Sequence, residues 1–320
     1  MKISDKFYPG KGKKVGLLGV PLGFGAETKG SELGITSIRL TKIGGEFLAK
    51  QIQDLGYDFK DYGDVKIEIP DKEAEEKENP KYLKEIIASS RNMVKDIKQI
   101  LEDGAFPLII GGDHSIAIGT FSGVSSFFHE QNEEIGLIWF DAHADINTDK
   151  TSPSGNIHGM PLAALLGFGN DELVNLEGFS PKLNKKYLAH IGARDLDIGE
   201  KQRIHDLNLR DNFFTMGDID QRGMVDCVKD AIDIAAKAPG GFAVTFDVDM
   251  IDPRFAPGSG TLVRGGTTYR EAHLALETIA GHEGLRSFEI VEVNPMLDSN
   301  NITVKLAGEL ILSVLGNTIL

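Results

Sequence analysis

The run Ile135-Gly136-Leu137-Ile138-Trp139-Phe140-Asp141-Ala142-His143-Ala144-Asp145 passes from unbroken apolar residues into acid, imidazole and acid. No other stretch restricts the fold so tightly. The apolar part is too short for an amphipathic helix and reads as a buried strand. If the backbone stays extended past Phe140, Asp141, His143 and Asp145 project to one side, because side chains alternate along a strand. In a parallel α/β sheet that strand end is the carboxyl edge, where ligands bind. A capped strand end with a solvated pair of acids would give the same pattern.

A second stretch, Val244-Thr245-Phe246-Asp247-Val248-Asp249, repeats the theme far downstream. Gathering Asp141, Asp145, Asp247 and Asp249 without a cation would crowd like charges, raise carboxyl pKa values and destabilise the fold. Two divalent cations carry the charge that four aspartates balance, leaving neutral imidazoles to complete the ligand shells. The arithmetic favours a binuclear centre.

The chain has 320 residues, 41% of them apolar, and 37 glycines. That suits one large α/β domain over residues 1–320, with ample core. A net charge of -14 argues against a nucleic-acid partner or an anionic membrane surface and fits a small cationic substrate. Cys227 is the only cysteine, so no intrachain disulfide or Cys-based zinc site can form, in keeping with a reducing cytosol. The polar stretch from Met1 to Lys14 has no apolar core, and no later run approaches a membrane span. The expectation is a soluble cytoplasmic protein.

In chain order, Lys14 to Val20 reads as the first strand, followed by a Gly-rich turn and a helix from about Thr36 to Gln51. This opening raises a dinucleotide-binding rival, but Thr28 stands where the third fingerprint glycine belongs. A strand is expected within Asp58 to Ile69, then a solvated charged loop from Pro70 to Pro80. Helical spacing spans Tyr82 to Asp103. The strand Phe106 to Ile110 runs into Gly111-Gly112-Asp113-His114-Ser115, whose glycines let His114 lean toward Asp141, with Asp113 placed to orient its ring or a neighbour. The polar loop Ile146 to Gly159 offers hydroxyl and amide groups suited to a carboxylate, and one imidazole, His158, that no metal obviously claims.

Further strands are expected at Tyr187 to Gly192, Asn212 to Met216 and Arg286 to Val293, and helices near Gly199, over Val225 to Ala236, Tyr269 to Ala280 and Thr303 to Leu315. Past the strand at Tyr187, Asp197 is placed to accept from an ammonium, and Asp195 to pair with Arg194 or cap the next helix. Glu292 is a buried-strand acid without a local partner. The alternation predicts a single three-layer α/β/α domain with a mainly parallel, roughly eight-stranded sheet. Strand order does not follow from periodicity.

In this order, Gly111-Gly112-Asp113-His114-Ser115, Asp141-Ala142-His143-Ala144-Asp145 and Phe246-Asp247-Val248-Asp249-Met250-Ile251-Asp252-Pro253 resemble the three signature motifs of the ureohydrolases, the family of arginase, agmatinase and formiminoglutamase. The resemblance covers almost the whole chain. It implies two Mn²⁺ ions per chain held by His114, Asp141, His143, Asp145, Asp247 and Asp249, with Asp141 and Asp247 bridging. Within the family, Thr151 to Pro161 resembles the bacterial arginases. A departure is the stretch Thr28 to Ile35, where the family more often shows Arg-Gly and Gly-Pro.

The resemblance further implies that Asn147 and Ser154 bind the α-carboxylate of L-arginine and Asp197 its α-ammonium, with Thr261 and Glu292 near the guanidinium. A site that leaves those groups unpaired should reject agmatine. A guanidinium carbon is a poor electrophile, and two cations sharing a water would set hydroxide beside it at neutral pH. Collapse of the tetrahedral adduct needs a proton on the departing nitrogen, which assigns His158 as proton shuttle. Glu292 would hold the guanidinium, and Asp145 counts among the catalytic residues as well as the ligands. The expected products are L-ornithine and urea, and the expected assembly is a homotrimer or homohexamer. Alternatives are another ureohydrolase activity, or a metal-dependent binding protein without catalysis.

Overall fold

The computed structural model describes residues 9–73 and 78–319. Residues 1–8, the first part of the expected polar amino terminus, and residues 74–77 of the charged loop lie outside them. Among the described residues ten strands form: β1 (Lys14–Val20), β2 (Lys42–Ile43), β3 (Glu46–Phe47), β4 (Asp58–Asp64), β5 (Phe106–Gly111), β6 (Gly136–Phe140), β7 (Leu188–Ile191), β8 (Phe213–Phe214), β9 (Phe242–Asp247) and β10 (Leu285–Val291). Eight of them build one sheet in the order β4-β1-β5-β10-β9-β6-β7-β8. Every pairing in it is parallel.

Alternation along the strands sends side chains to two separate cores, one on each face of the sheet. Leu108, Ile110, Ile138, Phe140, Val244 and Phe246 pack on one side with the helices Met224–Ala235, Tyr269–Ile279 and Ile302–Val314. Ile109, Leu137, Trp139 and Ala243 pack on the other with Leu83–Glu102 and Ala117–His129. The near-continuous apolar strands of the sequence are those of a sheet covered on both faces. Among the described residues no helix is long and apolar enough to cross a membrane.

Several expectations need correction. The helix expected from Thr36 to Gln51 is two short helices, Gly34–Leu40 and Leu48–Asp54, split by the β2–β3 hairpin. Gly44 and Gly45 form its turn with φ of 59° and 101°, the positive pair that a tight hairpin requires. The strand expected within Asp58 to Ile69 forms over Asp58–Asp64, whereas that expected from Asn212 to Met216 shrinks to two residues. There Thr215 turns the chain by capping a helix, Met216–Arg222, in a reciprocal box with Asp218.

β5, β10, β9, β6 and β7 are contiguous, so their carboxyl ends lie side by side. Gly112 locks this edge. Its carbonyl accepts from Glu292 N at 2.8 Å, and the next amide, of Asp113, donates to Leu22 O at 2.8 Å. A Cβ on Gly112 would stand 1.8 Å from Leu22 O, a main-chain atom that cannot swing aside. Gly112→Ala is therefore expected to cost about 3 kcal/mol, measurable as a lowered urea midpoint at constant slope; an unchanged midpoint refutes this packing argument.

Candidate metal centre and adjoining cavity

His114 follows β5, Asp141 follows β6 and Asp247 ends β9, so the sheet itself delivers ligand-type side chains from separate parts of the sequence to one edge. Around His114 Nδ1 lie Asp141 Oδ2 at 3.0 Å, Asp145 Oδ2 at 3.2 Å and Asp247 Oδ2 at 3.3 Å. Around His143 Nδ1 lie Asp249 Oδ2 at 3.0 Å and Asp141 Oδ1 at 3.4 Å. Two groups with metal-ligand spacing result, His114/Asp141/Asp145 and Asp141/His143/Asp249. Asp141 belongs to both, one oxygen turned to each imidazole. Asp247 is in neither group but approaches His114.

The convergence does not come from strand alternation. β6 ends at Phe140, and Asp141 to Asp145 form an irregular turn in which Asp145 takes a left-handed φ of 50°. Such a conformation in a non-glycine residue is held only by its surroundings. Likewise Asp247 caps a single 3₁₀ turn, accepting from Asp249 N at 2.7 Å, so Asp249 reaches the site by a turn.

The donors fit metal ions. His114 Nδ1 is buried and has no hydrogen-bond partner among three carboxylates. Burial, with neighbouring acids, pushes Asp145 and Asp247 well above the ordinary carboxyl range. Burial works against the charge on Asp141, yet the His114 and His143 rings hold it well below that range. For both histidines burial again opposes the charged form, and the carboxylates raise them nevertheless. Such a cluster is stable only when positive charge sits inside it. Trp139 braces it, donating from Nε1 to Asp141 Oδ2 at 3.0 Å and stacking on the His114 ring at 4.2 Å.

An open cavity of about 250 Å³ adjoins the cluster; His143, Asp145 and Asp247 line it together with the expected Asn147, Ser154, His158, Asp197 and Thr261. Thr261 Oγ1 donates to Asp249 Oδ2 at 2.9 Å. Ser154 Oγ accepts from Asn156 N at 3.2 Å. Asn147 Nδ2 donates to Asp197 Oδ2 at 2.7 Å, while Asn147 Oδ1 is buried without a partner. Asp197, not Asp195, caps the helix Ile198–Asp206, in a reciprocal box with Glu200. Arg194 does not pair with Asp195; its Nη2 donates to Asp249 O at 2.6 Å and Val263 O at 2.8 Å, clamping the metal loop.

Glu292 does not line the cavity. It sits behind His158 with Oε1 3.5 Å from the ring Nδ1, and the same oxygen accepts from His114 N at 2.9 Å. Burial opposes a charge on His158, but Glu292 and Asp113 raise its pKa above the ordinary value. Asp113 orients no ring; its carboxylate accepts from the amides of Gly25, Ala26 and Ser115 and pins the Gly-rich turn after β1.

Ser152 and Asn156, from the polar loop expected to offer hydroxyl and amide groups, also line the cavity, and so does Glu200, to which the sequence assigned no role. Burial pushes Glu200 up to about 7. The spacing Asp197-x-x-Glu200 is a capping-box pattern, a signal that was available. The far end of the charged stretch is no free loop: Asn79 Nδ2 donates to Asp149 O at 2.6 Å, Lys81 N to Gly155 O at 2.8 Å and Lys81 Nζ to Asn156 Oδ1 at 3.1 Å. These bonds clasp the cavity loop from outside.

The arginase family model matches residues 13–316. An arginase of Brevibacillus brevis is 42% identical over 96% of this chain and 99% of its own length, and one of Bacillus subtilis 40% identical over the same shares. The solved structure of Bacillus caldovelox arginase superimposes with a TM-score of 0.88 at 38% identity, covering 96% of this chain and 100% of that one. A parallel sheet with two adjoining donor groups at its carboxyl edge, in this company, defines a metal-binding hydrolase of the ureohydrolase class. The chain belongs to the arginase family.

Proposed function

We propose that this chain hydrolyses L-arginine to L-ornithine and urea, with two Mn²⁺ ions held by the cluster described above. His114 and Asp145 would serve one ion, His143 and Asp249 the other, and Asp141 and Asp247 both. An aspartate-rich set without sulfur favours Mn²⁺ over softer metals. When bound, the dications supply Lewis acidity, bringing the pKa of water toward neutrality.

The observation that carries the reading is the cavity beside the cluster, which offers matched partners for the α-carbon end of an amino acid. Asn147 and Ser154 present amide and hydroxyl groups to a carboxylate, and Asp197 presents a carboxylate to an ammonium. With that end fixed, the guanidinium is held toward His143, Asp145 and Thr261 at the cavity floor. His158 in the wall carries the proton that the departing nitrogen needs, since an amide anion cannot leave. Glu292 Oε1 at His158 Nδ1 orients the ring and favours its protonated form, leaving Nε2–H for the departing nitrogen; lying behind the ring, it acts on the guanidinium side through it.

By the same family likeness the enzyme works in the cytoplasm as a trimer or hexamer, and the buried thiol of Cys227 suits that compartment. The test compares ornithine release from L-arginine with putrescine release from agmatine. A site built to pair the α-groups rejects the analogue lacking one of them by on the order of 10⁴–10⁵-fold in kcat/KM. Asn147→Ala is expected to narrow that gap by raising KM for L-arginine alone. Preferred turnover of agmatine, or of another guanidino compound, would replace this substrate assignment.

A further inference from the structure

Glu289 is a carboxyl group in the middle of the sheet, 4% exposed, on a strand whose neighbours Phe288 and Ile290 are wholly apolar core. Among the described residues neither the cavity nor an ion pair accounts for it. β10 and β9 set it directly opposite Thr245 in register, and Thr245 Oγ1 donates to Glu289 Oε1 at 2.9 Å. On its other side the same hydroxyl oxygen lies 3.0 Å from His114 Nε2. The other carboxyl oxygen, Oε2, is buried without a hydrogen-bond partner among the described residues, and Thr120 Oγ1 donates to Ile116 O at 3.2 Å. Thr120, Thr245 and Ser287 share with Glu289 a small cavity of about 20 Å³, on the scale of one water.

We propose that Glu289 is a positioning residue that fixes the tautomer of His114 through Thr245. Burial pushes the Glu289 carboxyl above its ordinary range; in its ionised form it only accepts hydrogen bonds, and the one hydroxyl proton of Thr245 is then committed to it. The Thr245 oxygen then has only lone pairs for His114, which must approach with Nε2–H. A neutral imidazole with its proton on Nε2 offers a lone pair on Nδ1, the atom that faces Asp141, Asp145 and Asp247. The carboxylate thus makes His114 ready to ligate from two residues away, and burial in the sheet shields this order from solvent. An amide at position 289 breaks it, since its NH₂ can donate to Thr245 and free the hydroxyl to donate to Nε2, which places the ring proton on Nδ1.

The inference rests on His114 being a metal ligand, and the experiment separates the two. Mn²⁺ is titrated calorimetrically into the metal-free full chain, and the His114 tautomer is read from ¹⁵N shifts of histidine-labelled, metal-free protein at a pH above the raised value of the ring, where it is neutral. In the wild type, two binding events and an Nε2–H ring are expected. Glu289→Gln is expected to weaken one event about 10–100-fold, leave the other unchanged and shift the ring toward Nδ1–H. Glu289→Asp partly restores the affinity. Should Glu289→Gln fail to fold, Thr245→Val is expected to give the same selective weakening and Thr245→Ser none. Wild-type affinity and tautomer in both Glu289→Gln and Thr245→Val overturn the relay, as does equal weakening of both events. A wild-type chain that binds no Mn²⁺ overturns the metal reading and this inference with it.

Discussion

Replacing His158 with Asn is expected to lower turnover of L-arginine about 10²–10⁴-fold, the usual worth of a positioned acid–base group, while metal content stays at the wild-type level. The side chain stands in the cavity wall, 20% exposed, and no metal-type cluster among the described residues includes it. Asparagine keeps much of the size and polarity but cannot carry a proton between substrate and solvent. The pH profile gives a second check with a definite sign. Despite burial, Glu292 raises the pKa of His158, so the protonated donor persists past the ordinary imidazole range and is lost as pH rises through the raised value. The wild type should therefore decline on the alkaline side along a limb that His158→Asn lacks. Glu292→Gln should move that limb to lower pH, because the imidazolium loses its counter-charge. Urea assayed by colour formation, with metal counted by elemental analysis on the same samples, decides the matter. A variant that turns over at the wild-type rate removes His158 from the mechanism.

Asp141→Asn should be more severe for metal content, because among the described residues Asp141 belongs to both donor groups. One oxygen faces His114 and the other His143, so losing its charge weakens both metal positions together. If the Lewis acidity is worth about 4 kcal/mol, turnover falls about 10³-fold or more. Both Asp141 oxygens also accept hydrogen bonds, Oδ1 from His143 N at 2.7 Å and Oδ2 from Trp139 Nε1 at 3.0 Å. Whichever way an asparagine turns, its NH₂ opposes one of those donors, adding about 1–3 kcal/mol of destabilisation. Asp249→Asn serves as the contrast, since Asp249 belongs to one group only and its loss should leave one metal per chain by elemental analysis. Equal metal content in Asp141→Asn and Asp249→Asn would contradict the shared position.

How much of this was legible follows from what is local. The strand tips at Phe140 and Phe246 announce themselves, since an apolar run that stops at acids has few other uses, and the alternating elements gave the layered architecture. Three failures have one origin, namely turns and contacts that periodicity does not register. The hairpin at Gly44-Gly45 hid inside a helical pattern because two glycines do not by themselves say which way the chain turns. Asp197 was read as a substrate group, and its role as helix cap, which also brings Glu200 to the cavity, passed unnoticed. The clasp made by Asn79 and Lys81 depends on segments roughly 70 residues apart in sequence, and no local signal marks it. Strand order likewise stayed hidden, because β10 enters between β5 and β9 by a pairing across the length of the chain.

The rims of the main sheet decide how copies of this chain can meet. At one rim β8 has only two residues, and Arg210 Nη1 occupies the Phe213 carbonyl. At the other, β4 carries Asp58, Lys60, Asp61 and Asp64 with a glycine at position 63. Charge and brevity at these borders discourage the accretion of another strand, so any meeting of two copies falls to helix and loop surfaces rather than to the sheet.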